Sequence, residues 1–356
     1  MKKHFSKLLI LALAATACRD GYMDDIKPVA AGPDEEAPEV TISYPASETV
    51  LIPFTDESTQ LNFELEVQDD IEITSITVAL NGTTLTTLDD FKDYRRVVAS
   101  HQSETLPLGD YTLEVTATDA SGKTTTKSQT FEISNVYQAK YDGEIFYMPF
   151  EGDVYLDLLG DISASAVGSP GFAAGKSGQA YSGAADAYLT LPMEGLANEE
   201  FSASFWYKMD AATTHAGILT VSPPGPTNNN RTSGFRLFRE PGGEGMQRIK
   251  LNVGNGVADT WVDGATAADV DPASGWVHVA FTIAPDRCAL YLNGELVKDA
   301  AFTGVSWADC NALSIGSGAP NFTEWGHVSE QGQIDELRIF NKALSLEEVQ
   351  QMVEDN

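Results

Sequence analysis

Apolar residues in this chain recur at every second position over short runs separated by turn-forming residues, a pattern that fits antiparallel β-sheet and little else. Val40, Ile42 and Tyr44 alternate with polar neighbours, as do Leu61, Phe63, Leu65 and Val67, then Ile76, Val78 and Leu80, and again Tyr111, Leu113, Val115 and Ala117. The third run ends at Asn81-Gly82, a dipeptide suited to a two-residue hairpin because both residues tolerate a positive φ. Further on, Phe201, Ala203, Phe205 and Tyr207 share one strand face, and so do Val277, Val279, Phe281 and Ile283. Strands of this kind are half-buried and stack as paired sheets around a core. The 356 residues are enough for two such cores. Near the end, Ser345 with Glu348 three residues on forms a capping box, which predicts a short helix with Leu346, Val349 and Val353 along one side.

The two ends of the first forty residues differ sharply. Lys2, Lys3 and Lys7 precede the apolar run Leu8 to Ala17, and the small residues Ala15, Thr16 and Ala17 stand before Cys18, so residues 1–17 read as a secretory signal peptide. The run is too short to span a bilayer, which takes about 20 apolar residues. Residues 18–37 contain Pro28, Gly32, Pro33, Asp34, Glu35 and Glu36 and read as an acidic flexible tether. Over the whole chain 52 acidic residues face 22 lysines and arginines, a formal net charge of −30. Such a field repels nucleic acid and anionic membrane surfaces, and no nucleic-acid partner is expected.

Several phrases carry resemblances. The small residues leading into Cys18 resemble the lipobox of bacterial lipoproteins, which implies cleavage before that cysteine and its diacylation. The acidic stretch after Cys18 is similar to the export tether of Sus-type (starch-utilisation-system-like) surface lipoproteins, which implies an outer-membrane lipid anchor, exposure on the cell surface and a Sus-type transporter complex as partner. Gly109 to Asp119, followed by Ser121-Gly122-Lys123, resembles the last hairpin of bacterial immunoglobulin-like modules, and the resemblance covers residues 38–135.

The text after residue 143 resembles concanavalin A-like/laminin G-like (LamG) jelly rolls in five phrases that keep the family's order. They are Phe146 to Gly152 with Gly175 to Ala180 and Asp186 to Pro192, then Phe201 to Lys208, Gly275 to Thr282, Leu290 to Val297, and Gln333 to Leu344. The expected fold is therefore all-β: an immunoglobulin-like β-sandwich over 38–135, then a larger jelly-roll β-sandwich over 144–356 closed by the short helix. If Cys18 carries lipid, Cys288 and Cys310 remain, and two readings stand open: a disulfide formed in an oxidising compartment, or two buried thiols.

The catalytic strand of laminarinase-type enzymes on this fold reads Glu-x-Asp-x-(x)-Glu, because a retaining glycosidase needs two carboxyl groups about 5 Å apart. Here Gln333-Ile334-Asp335-Glu336-Leu337 puts glutamine where the nucleophile belongs and lacks the second glutamate. No Gly-x-Ser-x-Gly elbow occurs either, and His278 beside Trp276 reads as a structural histidine. By strand parity Asp335 points with Leu337 and Ile339, and in similar jelly rolls an aspartate at this place helps hold a structural calcium. The resemblance implies backbone carbonyls near the first strand as the other ligands, here from around Glu151, with Asp186 as a further candidate, against the alternative of a solvated or hydrogen-bonded strand-end acid.

Sugars need aromatic faces and short polar side chains. Turn-rich text supplies both at Asn228 to Arg231, Asn252 to Trp261 and Asn321 to His327. Trp261, Trp325, Phe322 and Asn321 are the candidate carbohydrate-binding residues, with Arg236, Phe238 and Arg248 along a neighbouring sheet. The expectation is a non-catalytic, cell-surface glycan-binding lipoprotein that captures oligo- or polysaccharide for a Sus-like uptake system. A protein-binding adhesin or structural module is the alternative, and an atypical glycoside hydrolase the second.

Overall fold

The structure, a computed structural model, describes residues 34–355. The expected signal peptide of residues 1–17, Cys18 and the expected tether as far as residue 33 lie outside the described residues. The chain divides into two compact units, one of residues up to 52 with 57–134, the other of 53–56 with residues from 135 onward.

The first unit is a small sandwich. One sheet has three strands in the order Glu39–Tyr44, Asn62–Gln68, Arg96–Gln102; the other has five, Thr49–Leu51, Thr124–Ser134, Gly109–Asp119, Ile73–Leu80 and Thr83–Leu88. Alternation explains the packing: Phe63, Leu65 and Val67 from one sheet meet Ile76, Val78, Leu113, Val115 and Phe131 from the other in one core. Asn81 and Gly82, with φ of 48° and 76°, make the expected tight hairpin.

The second unit is the larger sandwich. One eight-stranded sheet runs Gly171–Ala174, Gln179–Ser182, Gln333–Phe340, Phe201–Lys208, Val277–Ile283, Arg287–Leu292 and Glu295–Ala301, with Glu144–Met148 added beside Gln333–Phe340. The facing sheet runs Ser165–Val167, Tyr188–Pro192, Ala312–Ile315, Ala216–Val221, Phe235–Pro241, Gln247–Gly254 and Asp259–Asp263, with Asp269–Val270 beside Gln247–Gly254. Phe201, Phe205 and Tyr207, with Val277, Val279, Phe281 and Ile283, face Phe235, Leu237, Ile249, Leu251 and Val253 across the core. The segment 135–143 belongs to this unit: Tyr137 and the backbone N–H groups of Lys140 and Tyr141 donate to the Glu144 carboxylate, which also pairs with Arg338.

Leu346–Glu354 is helical, and both halves of the Ser345/Glu348 capping box form. Its buried face is Val349 and Met352, packed on Ala280, Tyr291 and Phe340, while Leu346 is exposed. A second departure from strand pattern lies at Glu336, which has a φ of 54° and inserts an extra residue opposite Phe201–Lys208. The bulge reverses parity, so Ile334 joins Leu337 and Ile339 in the core and Asp335 does not share their face.

Candidate functional site

The site grows from register. Phe235–Pro241, Gln247–Gly254 and Asp259–Asp263 are consecutive antiparallel strands. Phe235, Leu237, Ile249, Leu251, Val253 and Val262 face the core. Their neighbours must then face outward. They do so in cross-strand rows: Arg236, Asn252 and Trp261 in one, Phe238, Lys250 and Asp263 in the next, then Glu240 and Arg248, with Asp269 opposite Arg248.

The loop between Ala312–Ile315 and Gln333–Phe340 folds over this face. Gly318 donates to the His327 carbonyl at 3.0 Å and accepts from Phe322 at 2.7 Å, while Thr323 donates to the Asn228 carbonyl at 2.9 Å. A Cβ at Gly318 would lie 2.2 Å from the carbonyl oxygens of both His327 and Phe322, so only glycine closes the loop this tightly. At the loop's end the buried Glu330 takes Arg239 at 2.6 and 3.0 Å and the Tyr207 hydroxyl at 2.5 Å. An ion pair with this many donors can survive in a core because its remaining lone pairs are served.

Phe322 and His327 stack nearly parallel at 4.9 Å, with Phe238 packed against both. Beside this buried base sit Trp261 and Trp325, stacked at 6.1 Å with 24° between planes, and 38% and 41% exposed. The Arg231 guanidinium lies 4.7 Å from the Trp325 ring centre and 5.6 Å from that of Trp261. Its Nε is 2.9 Å from Asp259 Oδ2, off the alignment of a hydrogen bond. A shallow cavity of about 230 Å³ adjoins Arg231, lined by Asn229, Asn230, Thr232, Val257, Ala258 and Asp259. The result is an exposed aromatic ridge beside polar groups fixed in place.

Charges on the face are tied together. Lys250 Nζ bridges Glu240 at 2.9 Å and Asp263 at 3.1 Å, and Arg248 grips Asp269 with two bonds of 2.7 and 3.1 Å. The His327 ring, ahead of Lys250, holds the Glu240 carboxyl down at about 2 against the upward push of burial. Burial also raises Asp263, but the Ala265 N–H and Lys250 outweigh it and the net shift is downward.

The residues singled out in the sequence fare differently. Trp261 and Trp325 come together, although Trp261 stands on an edge strand and not in a loop. Phe322 is buried beneath them. Asn321 donates to the Ser222 carbonyl at 2.8 Å and so anchors the loop. Arg236 is fully buried and donates to the carbonyls of Asn230, Ser233 and Gly234; burial pushes its guanidinium down to about 9, and its task is to shape the Arg231 loop. Arg248 is spent on Asp269.

Asp335 accepts from the backbone N–H groups of Lys176, Ser177 and Glu336, and Glu151 accepts from that of Gln179. Asp186 is exposed, with its carbonyl against Gly168. Among the described residues no group of three or more histidines, cysteines or acids converges to hold a metal. Cys288 and Cys310 are not bridged: both thiols are free, and burial pushes them up to about 12 and about 11. His278 is buried against Ser204 and Trp206. Asp259 lies within the Asn252 to Trp261 stretch singled out in the sequence, whereas only cross-strand register places Lys250 on the same face.

Comparison with known proteins bears on the second unit. Residues 182–350 match the Laminin_G_3 family model, described as the concanavalin A-like lectin/glucanases superfamily. No curated protein matches the chain. Among solved structures it is similar to domain 4 of an extracellular arabinanase from Geobacillus stearothermophilus, solved with arabinotriose, at 23% identity over 59% of this chain and 98% of that one, TM-score 0.46. It is also similar to the binding domain of botulinum neurotoxin DC, solved with rat synaptotagmin II, at 14% identity over 60% of this chain, TM-score 0.44. The chain spans about half, 52%, of that neurotoxin domain. The family match and the paired sheets agree, and residues 182–350 form a concanavalin A-like jelly-roll domain.

Proposed function

We propose that the protein holds a glycan on the outer face of Phe235–Pro241, Gln247–Gly254 and Asp259–Asp263 without cleaving it. The observation that carries this reading is the pair of half-exposed, stacked tryptophans, Trp261 and Trp325, set beside Arg231 and Asp259. Aromatic faces exposed on a rigid base attract the C–H faces of sugars, and fixed polar groups at their edge meet hydroxyls. Membership of residues 182–350 in a lectin and glucanase superfamily supports the same class of ligand. A glycosidase acid needs a raised pKa; two carboxyls of this face, Glu240 and Asp263, which share Lys250, are shifted the other way.

The sequence of the leader extends the proposal: export, acylation at Cys18, display at the surface of an outer membrane and delivery of glycan to a Sus-type transporter. The test is a glycan array with the purified protein, followed by titration of Trp325→Ala. Each stacked ring is worth about 1 kcal/mol, so the variant should bind several-fold more weakly with an unchanged circular dichroism spectrum. Release of sugar products would favour a hydrolase, and capture of a protein with no glycan bound would favour an adhesin.

A further inference from the structure

We infer that the ligand of this face is an uncharged glycan, and the inference rests on the glycan-binding reading above. Each solvent-reachable cation near the tryptophans is already matched by a carboxylate of the same face, and Arg236, in the row of Trp261, is sealed on backbone carbonyls. Arg231 lies 2.9 Å from Asp259, Lys250 bridges Glu240 and Asp263, and Arg248 is bidentate on Asp269. Three solvent-reachable cations therefore face four carboxylates, Asp259, Glu240, Asp263 and Asp269, before the formal −30 of the whole chain is considered.

A uronate or sulfate group arriving at Arg231 would have to displace Asp259, exchanging one ion pair for another and leaving the Asp259 carboxylate unpaired beside it. A sugar hydroxyl meets no such cost. Guanidinium has five N–H donors in a fixed fork and a carboxylate about four lone-pair sites, so the Arg231–Asp259 pair can donate to one hydroxyl and accept from another while staying intact. Asn252, which donates to Asp259 at 2.8 Å, holds the carboxylate in that position. The pair thus acts as a specificity element that favours neutral hydroxyls, with the tryptophans supplying the apolar face.

Asp259→Asn separates the possibilities, because its amide oxygen keeps the bond from Asn252 while the charge that neutralises Arg231 is gone. The intact purified protein and this variant are titrated with neutral polysaccharides (laminarin, xyloglucan, arabinan) and acidic ones (polygalacturonate, alginate, chondroitin sulfate) at low and high salt. The wild type is expected to bind within the neutral group with affinity little changed by salt. The variant is expected to weaken several-fold on the neutral ligand and to gain binding to an acidic one that high salt abolishes. Wild-type preference for an acidic glycan, or a variant that gains none, overturns the inference while leaving the glycan-binding reading in place. Binding of neither group by the wild type removes both.

Discussion

His278 is polar on a strand whose odd-numbered neighbours Val277, Val279, Phe281 and Ile283 all face the core. Its ring lies on the other side of the sheet, buried beside Trp206 with Nε2 2.9 Å from Ser204 Oγ, while Nδ1 finds no protein partner among the described residues. Burial alone pushes its pKa down to about 4. The sign follows from proton counts: between about 4 and about 6.5, the ordinary value, the unfolded chain binds a proton that the folded one refuses. The contribution of His278 to stability is therefore complete above about pH 6.5 and is lost as pH falls towards 4. His278→Gln keeps a partner for Ser204 but cannot titrate. Denaturant melts of both proteins across this range should show the wild type losing stability relative to the variant as the solution is acidified. A constant difference between the two would mean that His278 does not titrate in this way.

At the scale of elements, the loop that carries Trp325 is tied to the sandwich through one buried ion pair. Arg239 and Glu330 are both fully buried, and Arg239 also bonds to Gln247 and to the Asp210 carbonyl. Arg239→Met would leave Glu330 uncompensated in the core, which costs about 3–5 kcal/mol. Replacing both partners by apolar residues of similar shape should recover much of the loss. A melting temperature for Arg239→Met close to that of the wild type would show that the pair is replaceable by solvent. The same elements show what sequence can and cannot convey. Alternation located the core strands of both sandwiches, and Ser345 with Glu348 located the helix start, because those signals are local. The bulge at Glu336 was not legible, and one extra residue was enough to turn Asp335 away from the face that parity assigned to it. Arg236 and Trp261 look alike in the sequence as candidates near a concave sheet. Their separate fates, one sealed under a loop and one half-exposed at an edge, depend on contacts with residues 230–234 and 325. The Lys250 bridge and the Arg231–Asp259 pair join residues on different strands and loops, so no spacing rule could announce them.

For the whole molecule, the acidic balance and the proposed leader would set the conditions under which the proposed binding face works. Among the described residues no helix is long and apolar enough to cross a membrane. The attachment proposed is through lipid at Cys18. A single acyl chain holds a protein only marginally, whereas two chains make a stable anchor at about 0.8 kcal/mol per buried methylene. Diacylation at Cys18 would therefore fix the protein at the surface, while the strongly acidic balance of the chain would oppose close contact of the folded units with an anionic leaflet. Expressed in a bacterium that processes lipoproteins, the wild type should fractionate with membranes and be degraded by protease added to intact cells. Cys18→Ala should be found in the soluble fraction or, if uncleaved, lose that protease sensitivity, because the apolar run Leu8 to Ala17 is too short to substitute as a transmembrane anchor. Equal membrane recovery and equal surface digestion of the two proteins would show that neither acylation nor display depends on Cys18, and the proposed delivery of glycan to an outer-membrane transporter would lose its physical basis.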